Sequence, residues 1–206
     1  MIIAVDGPAA SGKGTIARAL ADHFGLPHLD TGALYRGVAL AMLRAGDDPA
    51  DAAQATGHAE RFPEGLLHDD ALRDERTGAA ASILSAHDDV RAALLARQRA
   101  FAARAGGAVL DGRDIGTVIA PNADVKIYVL ASVDARAERR AKELAMRGQL
   151  ASPSEVAADL IARDARDTAR AASPLKPAPD AHILDTTGLS IEDAVTTAID
   201  VVNAAH

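Results

Sequence analysis

The run Gly7-Pro8-Ala9-Ala10-Ser11-Gly12-Lys13-Gly14-Thr15 constrains this chain more than any other feature. Before it lies Ile2 to Val5, a short continuous apolar run that reads as a strand buried on both faces. After it, Lys13 to Phe24 carries Ile16, Ala17, Leu20 and Phe24 at helical spacing, and Gly25 supplies a stop. A glycine-rich turn in that position points backbone N–H groups and a helix N-terminus at an anion. Gly7 and Gly12 allow backbone conformations closed to other residues and let the chain approach a phosphate. Lys13 adds a charge for the β- and γ-phosphates.

The spacing is that of a P-loop, G-x-x-x-x-G-K-[ST], with one departure. Gly14 holds the hydroxyl position and Thr15 follows it, so Thr15 is the candidate Mg2+ ligand, directly or through water. Ala108-Val109-Leu110-Asp111 matches the second signature of such proteins, an apolar strand ending in an acid near the cation. Gly112 follows Asp111 where motor ATPases carry a water-activating Glu, which disfavours hydrolysis as the main reaction.

Further elements alternate. Pro27 to Leu29 reads as a strand ending at Asp30, Leu34 to Leu43 as a helix, and Val125 to Leu130 as a buried strand. Val133 to Met146 and Glu155 to Ala165 read as amphipathic helices, His182 to Leu184 as a last strand and Ile191 to Val202 as the closing helix. This alternation predicts an α/β fold, a doubly wound, mostly parallel five-stranded sheet flanked by helices. Asp47 to Ala86, rich in Asp, Gly and Ala with weak periodicity, reads as an insertion between core elements. With 2% aromatic residues the core must be built from Ala, Leu, Val and Ile.

Cysteine is absent, so neither disulfides nor thiolate metal sites are available, which fits a reducing compartment. The seven histidines show no ligand spacing, and no zinc is expected. Met1 to Asp6 lacks a basic leader and meets an acid early, so it does not read as a signal peptide. No apolar run reaches the length of about 18 residues that a membrane span needs. The net charge of -7 argues against a general nucleic-acid binder. Arg136, Arg139, Arg140, Arg147, Arg163, Arg166 and Arg170 nevertheless crowd one stretch, and a locally positive cleft in an acidic chain suits a small polyanion.

Three kinds of P-loop protein compete. A GTPase switch needs an Asn-Lys-x-Asp guanine reader, and the only asparagines, Asn122 and Asn203, lie in other contexts. A motor or transporter ATPase subunit is disfavoured by chain length and by the Gly after Asp111. A small-molecule kinase needs a second anion site and an arginine-rich lid. Gly12-Lys13-Gly14-Thr15 resembles the nucleoside monophosphate kinases, and further runs narrow the resemblance to cytidylate kinases. Asp30-Thr31-Gly32-Ala33-Leu34-Tyr35-Arg36 is similar to D-[ST]-G-x-x-Y-R of that family. Ala81-Ser82 and Val90-Arg91, with Gln98-Arg99-Ala100-Phe101, resemble its base-site segment. Asp111-Gly112-Arg113-Asp114-Ile115-Gly116-Thr117-Val118 with Pro121 resembles D-G-R-D-[IM]-G-T-V. Arg163-Asp164-Ala165-Arg166-Asp167-Thr168-Ala169-Arg170 with Pro174-Leu175 resembles R-D-x-x-D-x-x-R. The insertion before Leu72-Arg73 is shorter than the family's small strand-containing domain.

The resemblance implies phosphoryl transfer from ATP, with Mg2+, to CMP and dCMP. It implies Thr31, Arg36, Arg113 and Arg170 at the acceptor phosphate, and Arg163 and Asp167 at the sugar hydroxyls. For the base, Asp114 and Ser82 can accept from cytosine N4, and Arg91 can donate to N3 and O2. Lys13 with the lid candidates Arg139, Arg140 and Arg136 would neutralise transferred charge, with Asp111 near the cation. The expected organisation is a single P-loop kinase domain over 1–206: core 1–46, acceptor-binding insertion about 47–86, core 87–140, short lid about 141–160 and core 161–206. The expected setting is a cytoplasmic monomer with small-molecule partners, ATP and CMP or dCMP, and neither nucleic acid nor membrane. The alternatives are a kinase of another acceptor, such as UMP or another small phosphate, and a nucleotide-binding module without turnover.

Overall fold

A computed structural model describes the chain except for residues 63, 147, 150 and 206. Its strands are β1 (Ile2–Asp6), β2 (His28–Asp30), β3 (Ala108–Gly112), β4 (Val125–Leu130) and β5 (His182–Asp185), and they form a five-stranded sheet in the order β2-β3-β1-β4-β5. β1 pairs in parallel with β3 and β4, and β4 in parallel with β5. Ile3 lies opposite Val109 on one side and Val125 on the other, so β1 is central and covered on both faces. That position explains its unbroken apolar sequence. From β1 the chain runs to β2 on one side, and from β3 it crosses to β4 on the other. The carboxyl end of β1 is thus the reversal point where open α/β sheets bind ligands.

The helices are α1 (Lys13–Phe24), α2 (Thr31–Ala45), α3 (Ala52–Glu60), α4 (Glu75–Leu84), α5 (Asp88–Ala102), α6 (Val133–Met146), α7 (Pro153–Ala169) and α8 (Ile191–Ala204). The chain packs as two compact units, one of Met1–Leu29 with Ala102–His206 and one of Asp30–Phe101.

In the first unit Ile3, Val5, Val109, Ile127, Val129 and Leu184 of the sheet pack against Ile16 and Leu20 of α1 and Ala198 and Val202 of α8. Leu20 and Ile127 are almost fully buried. Truncating either to Ala would cost about 2–5 kcal/mol, because the surrounding aliphatic side chains cannot close the cavity. A smaller core joins Ala137 and Leu144 of α6 to Val156 and Leu160 of α7, with Ala9 of the glycine-rich turn packed on it. α7 starts at a capping box: Ser152 Oγ accepts from the Glu155 N–H at 3.2 Å, and the Glu155 carboxylate accepts from the Ser152 N–H at 2.9 Å.

After Asp30, which ends β2, the regular elements described in the second unit are all helical. α2 to α5 and two 3₁₀ turns, Glu64–His68 and Asp70–Arg73, enclose a core of Leu34, Val38, Met42, Phe62, Leu84 and Leu94. Ala55, Ala59, Ala80 and Ala81 let these helices approach closely. Among the described residues of 47–86 there are helices and 3₁₀ turns and no strand, and alanine, which has the highest helix propensity, recurs along them. Among the described residues no helix is long and apolar enough to cross a membrane.

Candidate nucleotide site

The glycine-rich turn leaves β1 against the backbone of β4. A Cβ on Gly7 would lie 2.1 Å from the Val129 carbonyl oxygen, so only glycine fits. Gly12 and Ala10 both sit in the left-handed region, at φ 91 and φ 58. For Ala10 this costs on the order of 1 kcal/mol, strain that the surrounding contacts must hold. Those contacts grip the carbonyl edge of the loop. Pro8 O accepts from Lys13 Nζ at 3.2 Å, Ala9 O from Arg136 NH1 at 3.1 Å, and Ser11 O from Thr186 Oγ1 at 3.0 Å. Because each trans peptide sets its N–H opposite its C=O, the N–H groups of Ala9, Ala10 and Gly12 are turned to the other edge. Ser11 is buried, and its hydroxyl has no hydrogen-bond partner among the described residues. A buried unpaired hydroxyl costs about 1–3 kcal/mol, which a phosphate oxygen would relieve. The loop therefore fits a nucleotide phosphate.

Asp111 closes β3. One carboxylate oxygen pairs with His28 Nε2 of β2 at 2.8 Å. The other faces Gly14: a Cβ there would lie 3.6 Å from Asp111 Oδ2. Thr15, one residue on, is exposed on the first turn of α1. A hydroxyl and a carboxylate are the hard oxygen donors that Mg2+ takes, commonly with retained waters, so the residues present fit that cation.

Asp6, the last residue of β1, is 4% exposed. Its two carboxylate oxygens accept from the N–H groups of Ile115 and Gly116, each at 2.8 Å. These two residues open a single turn of π-helix, Ile115–Ile119, directly after Asp114. Burial pushes the Asp6 carboxyl up to about 7; the two N–H bonds and Lys13 pull it down, while Asp114 pushes it further up.

Arg113, Arg163, Asp167 and Arg170 gather within the first unit. Arg113 Nε donates to Asp167 Oδ2 at 2.9 Å, and Arg170 NH2 donates to Asp167 Oδ1. Burial alone would raise the Asp167 carboxyl, but Arg113, Arg170 and Arg163 outweigh it and hold it below the usual carboxylate range. The same partnership holds Arg113 protonated against its own burial. One carboxylate thus sets two guanidiniums side by side, the arrangement that matches phosphate oxygens. In this structure both Asp167 oxygens are taken by arginines. Asp114 is buried beside this group in sequence, at 5% exposure.

Four sequence-predicted residues lie in the second unit. Thr31 is buried at the start of α2. Asp30 caps that helix through the Ala33 N–H at 3.1 Å, and its other oxygen holds Arg36 NH2 at 2.6 Å. Ser82 is buried in α4, and the Arg91 guanidinium of α5 stands 5.6 Å from the centre of the Tyr35 ring.

Of the lid candidates, Arg136 is buried and structural: it binds Ala131 O, Ala9 O and, at 2.6 Å, Asp164 of α7. Arg139 donates to the hydroxyl and the carbonyl oxygen of Thr186, and Arg140 pairs with Glu143 one turn along α6 at 2.9 Å. Arg147 falls outside the described residues, as does Leu150 of the expected lid segment.

Sequence reasoning did not single out Asp6, His28 or Thr186. An acid ending a buried apolar strand, as Asp6 does, was the available signal for the first. Neither His28 nor Thr186 carries a local signal, because each acts through a partner distant in sequence.

The family model described as cytidylate kinase matches residues 3–204. A curated protein named cytidylate kinase from Methylocella silvestris (strain DSM 15510 / CIP 108128 / LMG 27833 / NCIMB 13906 / BL2) is 55% identical over 206 residues, covering 100% of this chain and 95% of that protein. One of the same name from Rhodopseudomonas palustris (strain TIE-1) is 54% identical, covering 100% and 97%. The solved structure of an uncharacterized protein from Eubacterium ventriosum ATCC 27560 superposes with a TM-score of 0.58 across 99% of each chain at 13% identity, a likeness of fold alone. With phosphate loop, arginine cluster and full-length matches in agreement, the chain belongs to the cytidylate kinase family.

Proposed function

We propose that this chain transfers the γ-phosphoryl group of ATP to CMP and dCMP, giving ADP and CDP or dCDP. The observation that carries the reading is the pair of guanidiniums, Arg113 and Arg170, fixed by one buried carboxylate in a chain of this family. An acceptor phosphate needs such a fixed, planar set of donors to be held in line with ATP. The attacking oxygen of CMP is already ionised, so no general base is required. The bond that forms joins that oxygen to the γ-phosphorus; the bond that breaks joins the γ-phosphorus to the β–γ bridging oxygen, and ADP leaves.

The N–H edge of the loop and Lys13 hold the donor phosphates, with Ser11 Oγ turned to the same anion. Mg2+, when bound, neutralises charge on the β- and γ-phosphates. Thr15, directly or through water, is the residue we assign to it, and Asp111 would supply a second oxygen donor nearby. Arg113 and Arg170 are assigned to the CMP phosphate, and so are Thr31 and Arg36. Asp114 and Ser82 accept from cytosine N4, Arg91 donates to N3 and O2, and Arg163 with Asp167 serves the sugar. Arg139 and Arg140 are assigned to the charge that develops on the transferred group.

The test is ADP release from ATP and Mg2+ against a panel of monophosphates. CMP and dCMP should be used well, and UMP, AMP and GMP poorly. No acceptor-dependent ADP release would overturn the kinase reading; better use of UMP would overturn the acceptor.

A further inference from the structure

The donor side and the acceptor side of this chemistry meet at one buried side chain within the first unit. Asp6 immediately precedes Gly7, the first residue of the phosphate loop. Its two oxygens accept from consecutive N–H groups, Ile115 and Gly116. Those residues follow directly on Arg113 and Asp114. Backbone N–H groups at the start of a turn need partners, and a buried unpaired one is costly. Here one carboxylate supplies both, and it is the last residue of the central strand.

The arrangement fixes a distance as well as satisfying donors. β1 and β3 are already in register, with Asp6 opposite Gly112. That register sets the height of Arg113 but leaves the chain free to turn away after Gly112. The two 2.8 Å bonds bring the segment back toward β1 just beyond Asp114. The following turn is wound as a π-helix, with Ala120 N donating to Ile115 O at 2.7 Å, a geometry that recurs where helices are bent to place functional groups. Gly116 is packed close to Asp6 and Lys126: a Cβ there would lie 3.1 Å from Lys126 Cδ and 3.5 Å from Asp6 Oδ2.

We infer that Asp6 is a positioning residue for the transfer, its carboxylate fixing Arg113 and Asp114 against the phosphate loop so that acceptor and donor are held in line. The inference rests on the proposed CMP kinase reading. Asparagine at this position offers one acceptor oxygen for two N–H groups and turns an amide N–H2 toward the second. The segment from 113 to 116 would then shift while the phosphate loop, held separately through Pro8, Ala9 and Ser11, keeps its form. The charged groups that face Asp6 are Lys13 at the start of α1 and Asp114 before the π-turn, and Tyr128 on β4 feels its charge.

The test compares the wild-type protein with Asp6→Asn in steady-state kinetics. The expected result is a ten- to hundred-fold fall in kcat/KM for CMP with KM for ATP changed less than threefold. A variant with unchanged kinetics, or one losing ATP and CMP affinity equally, overturns the inference. A second measurement needs no substitution. In the wild-type protein without nucleotide, the carboxyl carbon of Asp6 and the amides of residues 113 to 116 are followed by NMR from pH 9 to pH 5.5. Protonation of Asp6 removes negative charge from one acceptor oxygen, so all four amides should move with the midpoint of the Asp6 carbon. Movement confined to Ile115 and Gly116 overturns the inference even if Asp6→Asn fails to fold. Should the wild-type protein show no turnover of CMP, the functional reading fails, and the NMR result still decides the positioning role.

Discussion

Arg113 donates from Nε to Oδ2 of Asp167 across 2.9 Å, with the Asp167 side chain 2% exposed and that of Arg113 15% exposed. Removing the carboxylate leaves two guanidiniums side by side in a buried setting. Asp167→Ala should destabilise the fold by about 3–5 kcal/mol, as breaking a buried pair from one side does. Any protein that remains folded should bind CMP weakly. Thermal melts with CMP titration check both.

The same pair gives a pH dependence with a definite sign. The folded-state carboxyl of Asp167 is depressed by its arginines, against the effect of burial. A depressed carboxyl contributes stability that is fully present above its unfolded pKa, about 3.9, and lost as pH falls through the folded value. The stability difference between wild type and Asp167→Asn should therefore be constant above about pH 5 and shrink below about pH 4. Melting temperatures across that range are the measurement; a gap that widens on acidification would contradict the assignment.

Lys13→Ala should keep the fold, because the lysine is half-exposed and folds back onto its own loop at Pro8 O. Catalysis should fall by roughly 10²–10³ in kcat, the usual cost of losing a donor whose contact strengthens in the transition state. Near-normal turnover by a folded variant would contradict the role of the loop.

Much of this was legible before the fold was described. The strand-turn-helix order around Gly7 to Thr15 and the extents of α1, β4 and α6 follow from apolar spacing and glycine stops. α3, α4 and α5 are not legible in the sequence, because α3 buries only Ala55 and Ala59, α4 buries Thr77 and Ser82 beside Ala80 and Ala81, and α5 buries Gln98 with Val90 and Leu94, so their buried faces mix small and polar residues and leave little amphipathic contrast. The arginine cluster was legible as residues but not as an arrangement. That Asp167 spends both oxygens on Arg113 and Arg170 depends on a pairing 54 residues apart in the chain. Arg139 illustrates the limit: nothing local in the sequence shows that its guanidinium bonds to Thr186, 47 residues away.

Thr186 is 3% exposed, and its hydroxyl lies 3.0 Å from Ser11 O and 3.1 Å from Arg139 NH1. Thr186→Val keeps the shape and leaves the loop carbonyl without this donor. Leaving a buried partner unpaired costs about 1–3 kcal/mol, so KM for ATP should rise roughly five- to two-hundred-fold with KM for CMP little changed. Thr186→Ser should restore it. Equal effects on both substrates would show that the hydroxyl serves general packing instead.

Substitutions at Arg36 and Arg91 test the proposed division between phosphate holding and base reading. Arg36 is aimed by Asp30 at 2.6 Å, whereas Arg91 stands over Tyr35. Arg36→Met should weaken every monophosphate alike and leave the CMP/UMP preference unchanged. Arg91→Met should raise KM for CMP and narrow that preference, because an arginine donor opposes the N3–H of uracil and methionine does not. The loss expected for one charge-assisted hydrogen bond is about 1.5–3 kcal/mol, or roughly ten- to two-hundred-fold. The reverse pattern in steady-state kinetics would exchange the two roles.

The central claim is that the acceptor is a cytosine nucleotide, and a competition tests it most directly. CMP and UMP are supplied together with ATP and Mg2+, and CDP and UDP are quantified in the same reaction. Uracil reverses donor and acceptor at two ring positions, each mismatch leaving a buried group unpaired at about 1–3 kcal/mol. The two mismatches together come to at least about 2 kcal/mol, so the ratio of kcat/KM for CMP over UMP should be at least about 30. A ratio near one, or in favour of UMP, would contradict the account.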